Sequence, residues 1–233
     1  MIFHSIFKKY ALIPAVVLSA LVLVGCQTPR AEPLPSLLTD EAKAERLATL
    51  RALNNFQFGG GLGIWTDTES ISARIQWLQS DDNLDLKLTG PLGFGNFRLL
   101  DVADRATLLR GKTVVTIGTS SDEVVQRGFR LRAPVPIEEL KQWVKGLPGN
   151  ASQTTTDLEG KLDSLRFIDA DQIPWTVRFK RYDSFDGVSL PVLITASGGD
   201  YSVRLLLKNW NLDTNSEVSE PNQPNKRLSI PSL

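Results

Sequence analysis

The chain of 233 residues contains one histidine, one cysteine and one methionine. A single cysteine excludes an internal disulfide, and a single histidine leaves little room for chemistry that uses imidazole as a general base or metal ligand. The charges balance, with 26 Lys and Arg against 26 Asp and Glu, so the sequence lacks the basic excess typical of nucleic-acid binding. What is present is an ordinary apolar fraction of 42%, in a chain long enough to bury a hydrophobic core.

The first 25 residues have the pattern of a cleaved secretory signal. Lys8 and Lys9 form a basic start, and residues 11–24 form an apolar run without charge. This run of about 14 residues is shorter than the ~20 that a transmembrane helix needs, so a cleaved signal is favoured over a membrane anchor. Cleavage would also remove His4. The remaining chain would then have no histidine for a catalytic triad or an ordinary zinc site.

The lone cysteine lies directly after the apolar run. Residues 23–26 (LVGC) resemble the bacterial lipobox, in which the signal is cut before a cysteine that carries acyl chains. Lipidation of Cys26 would explain the single cysteine, since a thioether leaves no free thiol to oxidise outside the cytoplasm. Gln27 stands where such lipoproteins carry Asp for retention in the inner membrane. The resemblance therefore implies the outer membrane.

These features predict four segments along the chain. Residues 1–25 are a signal peptide, and residues 26–35 are the lipid anchor with a proline-containing tether. Residues 36–213 form a single domain. Residues 214–233, rich in Asn, Ser, Pro and Glu, form a mobile tail.

Most of the domain alternates between apolar and polar residues with a period of two, which is typical of half-buried antiparallel strands. Helix-start signals or helical spacing interrupt this pattern at residues 36–54, 121–126 and 136–145. We therefore predict a mainly β fold with some α structure. Its curved antiparallel sheet of about 11 strands forms an incomplete, half-open β-barrel capped by about three helices. If the cap is incomplete, the interior becomes an apolar cavity.

Three motifs that mimic functional sites have simpler structural interpretations. The glycine-rich residues 59–63 lack the strand-to-helix context of a phosphate loop, so they indicate a bulge or curvature within a strand. Residues 111–113 (GKT) resemble the end of a P-loop, but Ala106 occupies the position of its first glycine, so a hairpin turn is predicted. Glu138 and Glu139 are adjacent on a predicted helix and do not face each other as a catalytic acid and base.

The turn Gly90, Pro91, Leu92, Gly93 is unusual. Proline and glycine suit a tight turn, but Leu92 occupies the tip, where a polar residue would be normal. A lone exposed leucine needs no special explanation. In a membrane-anchored protein, however, a rigid loop that presents leucine could enter lipid, and both interpretations stay open at this point.

Several ordered segments together resemble the LolB family of outer-membrane lipoprotein receptors. The most specific is residues 140–151 (LKQWVKGLPGNA), and residues 88–93 (LTGPLG) match as well. Residues 51–57 precede the first strand as in that family, and residues 197–200 and 208–210 follow near the end. The resemblance covers roughly residues 50–210, and the tail after Asp213 is longer than the family leads us to expect.

The resemblance implies a LolA/LolB-like half-barrel with a hydrophobic cavity. Such proteins take lipoproteins from the periplasmic carrier LolA and place them in the inner leaflet of the outer membrane. In that family the leucine of the protruding loop serves the insertion step, which assigns Pro91, Leu92 and Gly93 to a membrane-insertion loop. The inward strand residues would line the acyl-chain cavity, and the set that we predict is Phe58, Leu62, Ile64, Ile75, Trp77, Leu86, Leu88, Phe97 and Phe179.

Three functions are compatible with these features. The first is a non-enzymatic lipoprotein acceptor and inserter, anchored by Cys26, whose partners are LolA, cargo lipoproteins and outer-membrane lipids, and which acts as a monomer without metal, cofactor or nucleic acid. The second is an envelope lipid-binding or scaffold lipoprotein without protein cargo. The third is a carboxylate-dependent hydrolase acting on envelope glycan, which needs neither histidine nor cysteine.

Overall fold

The computed structural model describes residues 38–68, 70–91, 95–129, 136–169, 172–212 and 218. The predicted signal peptide, Cys26 and the whole tether therefore lie outside the described residues. Helices α1 (Asp40–Ala52), α2 (Ser121–Phe129) and α3 (Ile137–Trp143) accompany a sheet of eleven strands. The strands are β1 (Asn55–Trp65), β2 (Ser70–Ser80), β3 (Asn83–Thr89), β4 (Phe97–Val102), β5 (Arg105–Arg110), β6 (Thr113–Gly118), β7 (Gln153–Thr156), β8 (Leu162–Ile168), β9 (Pro174–Phe185), β10 (Val188–Gly198) and β11 (Tyr201–Asn211).

The eleven strands form one open antiparallel sheet. Their spatial order is β6-β5-β4-β3-β2-β1-β11-β10-β9-β8-β7, so two meanders meet where β1 pairs with β11. Every pair of neighbours is antiparallel, and β6 and β7 are the two edges. The predicted fold class, an antiparallel meander of about 11 strands with three helices, is confirmed.

The glycine-rich segment lies inside β1, as predicted. A side chain at Gly60 would collide with the carbonyl oxygen of Leu206 on the neighbouring strand, so only glycine allows this close approach. The pairing of β1 with β11 also shifts register between Gln57 and Gly59, which is the irregularity that the glycines indicate. The GKT segment is likewise a hairpin turn between β5 and β6, with Gly111 at a φ of +61°.

The helices pack on the inner side of the sheet. Apolar side chains from both halves of the sheet, such as Leu108 on β5 and Leu165 on β8, join one cluster with Val124 of α2 and Trp143 of α3. The Trp143 ring meets the Phe167 ring edge-on, with centroids 5.7 Å apart. Because both halves of the sheet bury residues against the same helices, the sheet wraps around a shared interior.

Helix α1 begins with a side-chain cap. The Thr39 hydroxyl accepts a hydrogen bond from the backbone N–H of Ala42 at 3.2 Å, and two acidic residues follow in the first turn. The helix ends at Ala52, slightly before the predicted end near Asn54. Of its residues Leu50 is buried, so α1 attaches to the core through a narrow contact.

A second, smaller apolar cluster lies on the outer face of the sheet. Leu100 and Leu109 are buried there, although their neighbours Leu99 and Leu108 face the main core. Val218, from the predicted mobile tail, packs against them with 9% of its surface exposed. The mobility of the tail stays a prediction, and Val218 covers apolar side chains that the outer face offers. No helix in the described segments combines the length and apolar character needed to cross a membrane.

Candidate functional site

The inner face of the sheet and the two covering helices enclose a cavity of about 510 Å³. Cavities of this size, within roughly 300 to 1,000 Å³, are typical of sites for small apolar ligands. Strands on both sides of the β1–β11 pair contribute to the wall, while α2 and α3 form the cover. The lining residues include Leu62, Ile64, Ile71, Ala73, Ile75, Leu86, Leu88, Phe97, Leu99, Leu108, Val125, Phe129, Ile137, Leu140, Trp143, Trp175, Ile194, Ala196, Val203 and Leu205.

The cavity wall has almost no polar chemistry. Among the described residues that line it, none has an ionisable side chain, and the hydroxyls are those of Ser70 and Ser72. The indole N–H of Trp175 is already satisfied, because it donates to the Asp169 carboxylate at 2.9 Å. An unpaired charge or a hydrated headgroup would be costly here, whereas a hydrocarbon chain would not.

Six of the nine predicted lining residues lie in this wall. They are Leu62, Ile64, Ile75, Leu86, Leu88 and Phe97. Each belongs to β1, β2, β3 or the start of β4, where the strand alternation points apolar residues inwards. The structure brings these six together on one wall, opposite the helices.

The other three predicted residues face the interior but lie where it is filled. Phe58 stacks on Trp77 with ring centroids 5.6 Å apart and approaches Trp210 at 4.7 Å. Phe179 stacks on Tyr182 at 6.3 Å. The prediction that these three line the cavity is therefore corrected: neighbouring aromatic rings occupy the space that a ligand would need.

Sequence reasoning missed the half of the wall that α2, α3 and the later strands supply. Ile137 and Leu140 are spaced three residues apart on α3, which is the helical period that marks one face. Ile194 of β10 and Leu205 of β11 are paired across the sheet. The periodicity could have identified these faces, but the relative position of helix and sheet is set by packing between distant segments.

The mouth of the cavity is marked by residues that both line it and remain exposed. Ile71 near the start of β2 is 51% exposed, and Pro91 after β3 is also exposed. Gly90 and Gly95 of the β3–β4 connection line the cavity beside them. Leu92 and Gly93, two of the three residues of the predicted insertion loop, lie outside the described residues. The connection that carries them thus begins and ends at the cavity mouth.

A second pocket, of about 690 Å³, lies at the other end of the strands. Gln79 of β2 and Asp101 of β4 line it, whereas earlier residues of both strands line the apolar cavity. Lys141 joins Asp101 at 3.1 Å and Glu138 at 3.0 Å. Burial acts to lower the pKa of Lys141, but the hydrogen bonds and charges of these two acids outweigh burial and raise it. This pocket is polar and unsuited to hydrocarbon.

The buried carboxylates have structural partners rather than a shared catalytic geometry. Asp85 accepts two hydrogen bonds from Arg98, at 2.9 and 2.8 Å. Glu139 accepts from the backbone and side chain of Asn150, at 2.9 and 2.6 Å, while its neighbour Glu138 pairs with Lys141. Within the described chain, no group of three or more His, Cys, Asp or Glu side chains lies close enough together to hold a metal ion.

Fold and cavity define a class of protein: an open antiparallel half-barrel whose helices cover an apolar interior. The chain belongs to the LolB family, because residues 54–210 match the family model described as outer membrane lipoprotein LolB. An outer-membrane lipoprotein LolB of Nitrosococcus oceani is 28% identical over 205 residues, which are 88% of this chain and 99% of that protein. The corresponding protein of Stutzerimonas stutzeri is 32% identical over 197 residues, or 82% of this chain and 91% of that protein.

Among solved structures, a LolA superfamily protein from Nitrosomonas europaea aligns with a TM-score of 0.48 at 12% identity. The alignment covers 77% of this chain and 96% of that chain. Family membership assigns the protein to the outer membrane as a lipid-anchored lipoprotein, which confirms the location expected from the sequence.

Proposed function

We propose that this protein accepts lipoproteins from the periplasmic carrier LolA, shelters their acyl chains in the apolar cavity, and inserts them into the inner leaflet of the outer membrane. It does so as a binding protein without a catalytic step. The observation that carries the proposal is the cavity of about 510 Å³, whose described lining lacks ionisable side chains and whose mouth adjoins the β3–β4 connection.

The energetics of acyl chains support such a shelter. Each methylene that leaves an apolar environment for water costs ~0.8 kcal/mol, so a lipoprotein with several acyl chains cannot cross the periplasm unshielded. The lining residues of β1 and β2, such as Leu62 and Ile75, would contact a bound acyl chain on one side. The lining residues of α3 would contact it on the other side. Apolar contact is non-directional, which suits a receptor for many different cargo proteins.

Release into the membrane needs no energy source if the affinity for acyl chains increases from the carrier to the receptor and from the receptor to the bilayer. The cavity has to bind acyl chains more tightly than the carrier does and less tightly than the bilayer. Lipidation at Cys26 would keep the receptor at the destination membrane. In this scheme Pro91, Leu92 and Gly93 form the loop that enters the leaflet, and Pro91 stands at the mouth through which acyl chains leave.

The direct test is the transfer of a labelled lipoprotein from purified LolA to the purified receptor and then to liposomes. The Leu92→Glu variant is expected to accept cargo normally but to release it poorly, because a carboxylate at the loop tip resists entry into lipid. Leu158→Glu is the matched control, since Leu158 is 40% exposed in the turn between β7 and β8. Normal liposome incorporation by Leu92→Glu would contradict the role of the loop.

The same assay separates the alternative function. A lipid-binding or scaffold lipoprotein without protein cargo would take up fatty acids but would neither crosslink to LolA nor receive a lipoprotein from it. Crosslinking from the cavity mouth, for example at position 71, is expected to capture LolA during transfer. Its absence, together with failed transfer, would favour the alternative.

A further inference from the structure

The β1–β2 hairpin places two large apolar side chains in solvent. Trp65, the last residue of β1, is 43% exposed, and Ile71, near the start of β2, is 51% exposed. The chain contains five tryptophans, and the other four are at least nine-tenths buried. Trp65 is therefore an exception to the way this chain treats its tryptophans, and its position in the fold requires an explanation.

Backbone pairing shows that this hairpin end lies at the cavity mouth. Trp65 is opposite Ser70 of β2 and opposite Ser202 of β11. The same end of the sheet continues across β10 and β9 to the end of β8, where Ile168 is opposite Pro174. Ile168 is 53% exposed, so a third large apolar side chain lies at this end. Three of the exposed large apolar residues thus lie at this end of the sheet, while others lie on β6 and in the turn between β7 and β8.

The hairpin also extends beyond its neighbour β3. The last pair between β2 and β3 joins Arg74 to Thr89, and the four residues of β2 before Arg74 continue past this point. At about 3.3 Å per residue the hairpin end projects roughly 13 Å beyond the pairing with β3. The hairpin end therefore projects from the rim of the cavity mouth, beside the β3–β4 connection that contains Pro91.

The two side chains cover both faces of the hairpin end. Ile71 is paired with Ile64, and both line the cavity, so Ile71 lies on the inner face. Trp65 lies on the outer face, where its ring covers Gly63; a Cβ on Gly63 would approach the ring within 2.5 Å. Glycine at this position lets the indole lie along the strand. Each face of the hairpin end consequently carries one large apolar side chain, Ile71 inside and Trp65 outside.

Two arginines lie behind this hairpin end, and acids lie in its turn. Arg74 and Arg204 are exposed on the outer face of β2 and β11, and neither forms an ion pair with a described residue. Asp67 lies in the turn of this hairpin, whose sequence also contains Glu69, and Asp200 lies in the turn between β10 and β11, so acids roughly balance the two arginines at this end. An indole with arginines behind it matches the boundary between hydrocarbon and phosphate headgroups.

We propose that the β1–β2 hairpin end, through Trp65 and Ile71, is a second membrane contact that rests in the surface of a phospholipid bilayer. The hairpin is a different segment of the chain from the β3–β4 connection, although described residues of both border the opening. Two contacts hold the mouth against lipid in a fixed orientation, whereas one loop would leave it free to tilt. The proposal rests on the outer-membrane location and not on cargo transfer.

The fluorescence of Trp65 can be used to measure its contact with lipid. The full lipidated protein is placed in phosphatidylcholine and phosphatidylglycerol vesicles with and without a doxyl-labelled phospholipid, which quenches only nearby tryptophans. We expect quenching of the wild-type fluorescence and loss of most of it in Trp65→Phe. Iodide in the water is expected to quench Trp65 less when the protein is bound to vesicles. The comparison sample is the same protein kept in detergent-free solution by an amphipol.

Two further variants, made in the Trp65→Phe background, separate this contact from general proximity to lipid. Ile71→Trp returns an indole to the same hairpin and is expected to restore quenching. Leu158→Trp puts an indole in the β7–β8 turn, away from the mouth, and is expected to remain unquenched. Equal quenching of both, or wild-type quenching in Trp65→Phe, would overturn the proposal. Transfer of lipoproteins is not measured, so failure of the proposed function would leave this result unaffected, and the reverse also holds.

Discussion

The carboxylate of Asp122 in α2 accepts a hydrogen bond from the backbone N–H of Ile137, the first residue of α3, at 2.6 Å. It also accepts one from the N–H of Glu138 at 3.2 Å. One side chain thus caps α3 while belonging to α2, and it joins the two helices that cover the cavity. Burial raises the pKa of Asp122, although these two N–H groups act to lower it.

Replacement of Asp122 by alanine is expected to loosen the cover. Two backbone N–H groups at the start of α3 would lose their acceptor, which costs about 1 to 3 kcal/mol of unfolding free energy. Asp122→Asn keeps an acceptor oxygen and should lose less. Urea unfolding followed by circular dichroism measures both variants. Equal stability of Asp122→Ala and wild type would mean that water caps α3 equally well.

A larger side chain at Ala73 is expected to fill the cavity without unfolding the protein. Ala73 lines the cavity from β2, opposite Leu62 on β1. A phenyl ring there would displace part of a bound acyl chain. At ~0.8 kcal/mol per methylene, two displaced methylenes weaken binding about tenfold. Titration of a dansyl-labelled fatty acid measures Ala73→Phe. Gln76→Phe, at an exposed position on the same strand, should bind like wild type; equal loss in both would point to a nonspecific effect.

The sequence was sufficient for the sheet because most strands alternate and most turns between them are short. It was not sufficient for the cavity, as Ile75 and Trp77 on β2 illustrate. Both face inwards, which the alternation predicts, but Ile75 lines empty space while Trp77 is covered by Phe58. Alternation shows which face of a strand a residue lies on. It carries no information about the position along the strand at which the covering helices leave a gap. The position of this gap depends on contacts between segments far apart in the chain.

The cover of the cavity and the tail show the same limit. The connection between α2 and α3 through Asp122 joins residues 15 positions apart, and no local pattern signals it. Val218 lies in a segment whose composition predicts mobility, yet it contacts the outer face. In both cases a tertiary partner decides the outcome, and composition describes only the average behaviour of a segment.

Lys145 is expected to make the stability depend on pH in the alkaline range. It is 7% exposed, forms no ion pair with the described residues, and donates one hydrogen bond to the carbonyl of Leu53 at 3.3 Å. Burial lowers its pKa below the ordinary value of 10.5. The unfolded chain therefore holds this proton to higher pH than the folded chain, so folding gains stability as pH rises towards 10.5.

The measurement compares wild type with Lys145→Met from neutral pH to pH values above 10.5, the ordinary lysine pKa. The wild-type free energy of unfolding should rise relative to that of the variant and level off above this pKa. Taking the difference between the two proteins removes the contribution of the other titrating groups, such as Lys141. A difference that stays flat, or that falls with pH, would show that Lys145 is not desolvated in the folded protein.

Substitution of Val218 is expected to test whether the tail belongs to the fold. The side chain packs on Leu100 and Leu109, so Val218→Asp would place a charge on an apolar surface and remove a contact worth about 2 kcal/mol. The tail can detach rather than bury the charge, which limits the loss to the value of its own contacts. Val218→Ile, which keeps the apolar contact, is the matched control. Limited proteolysis should cut the tail of Val218→Asp faster than that of either wild type or the control, and the midpoint of thermal unfolding should fall in the same order. Identical cleavage rates in all three proteins would mean that Val218 does not hold the tail against the sheet in solution.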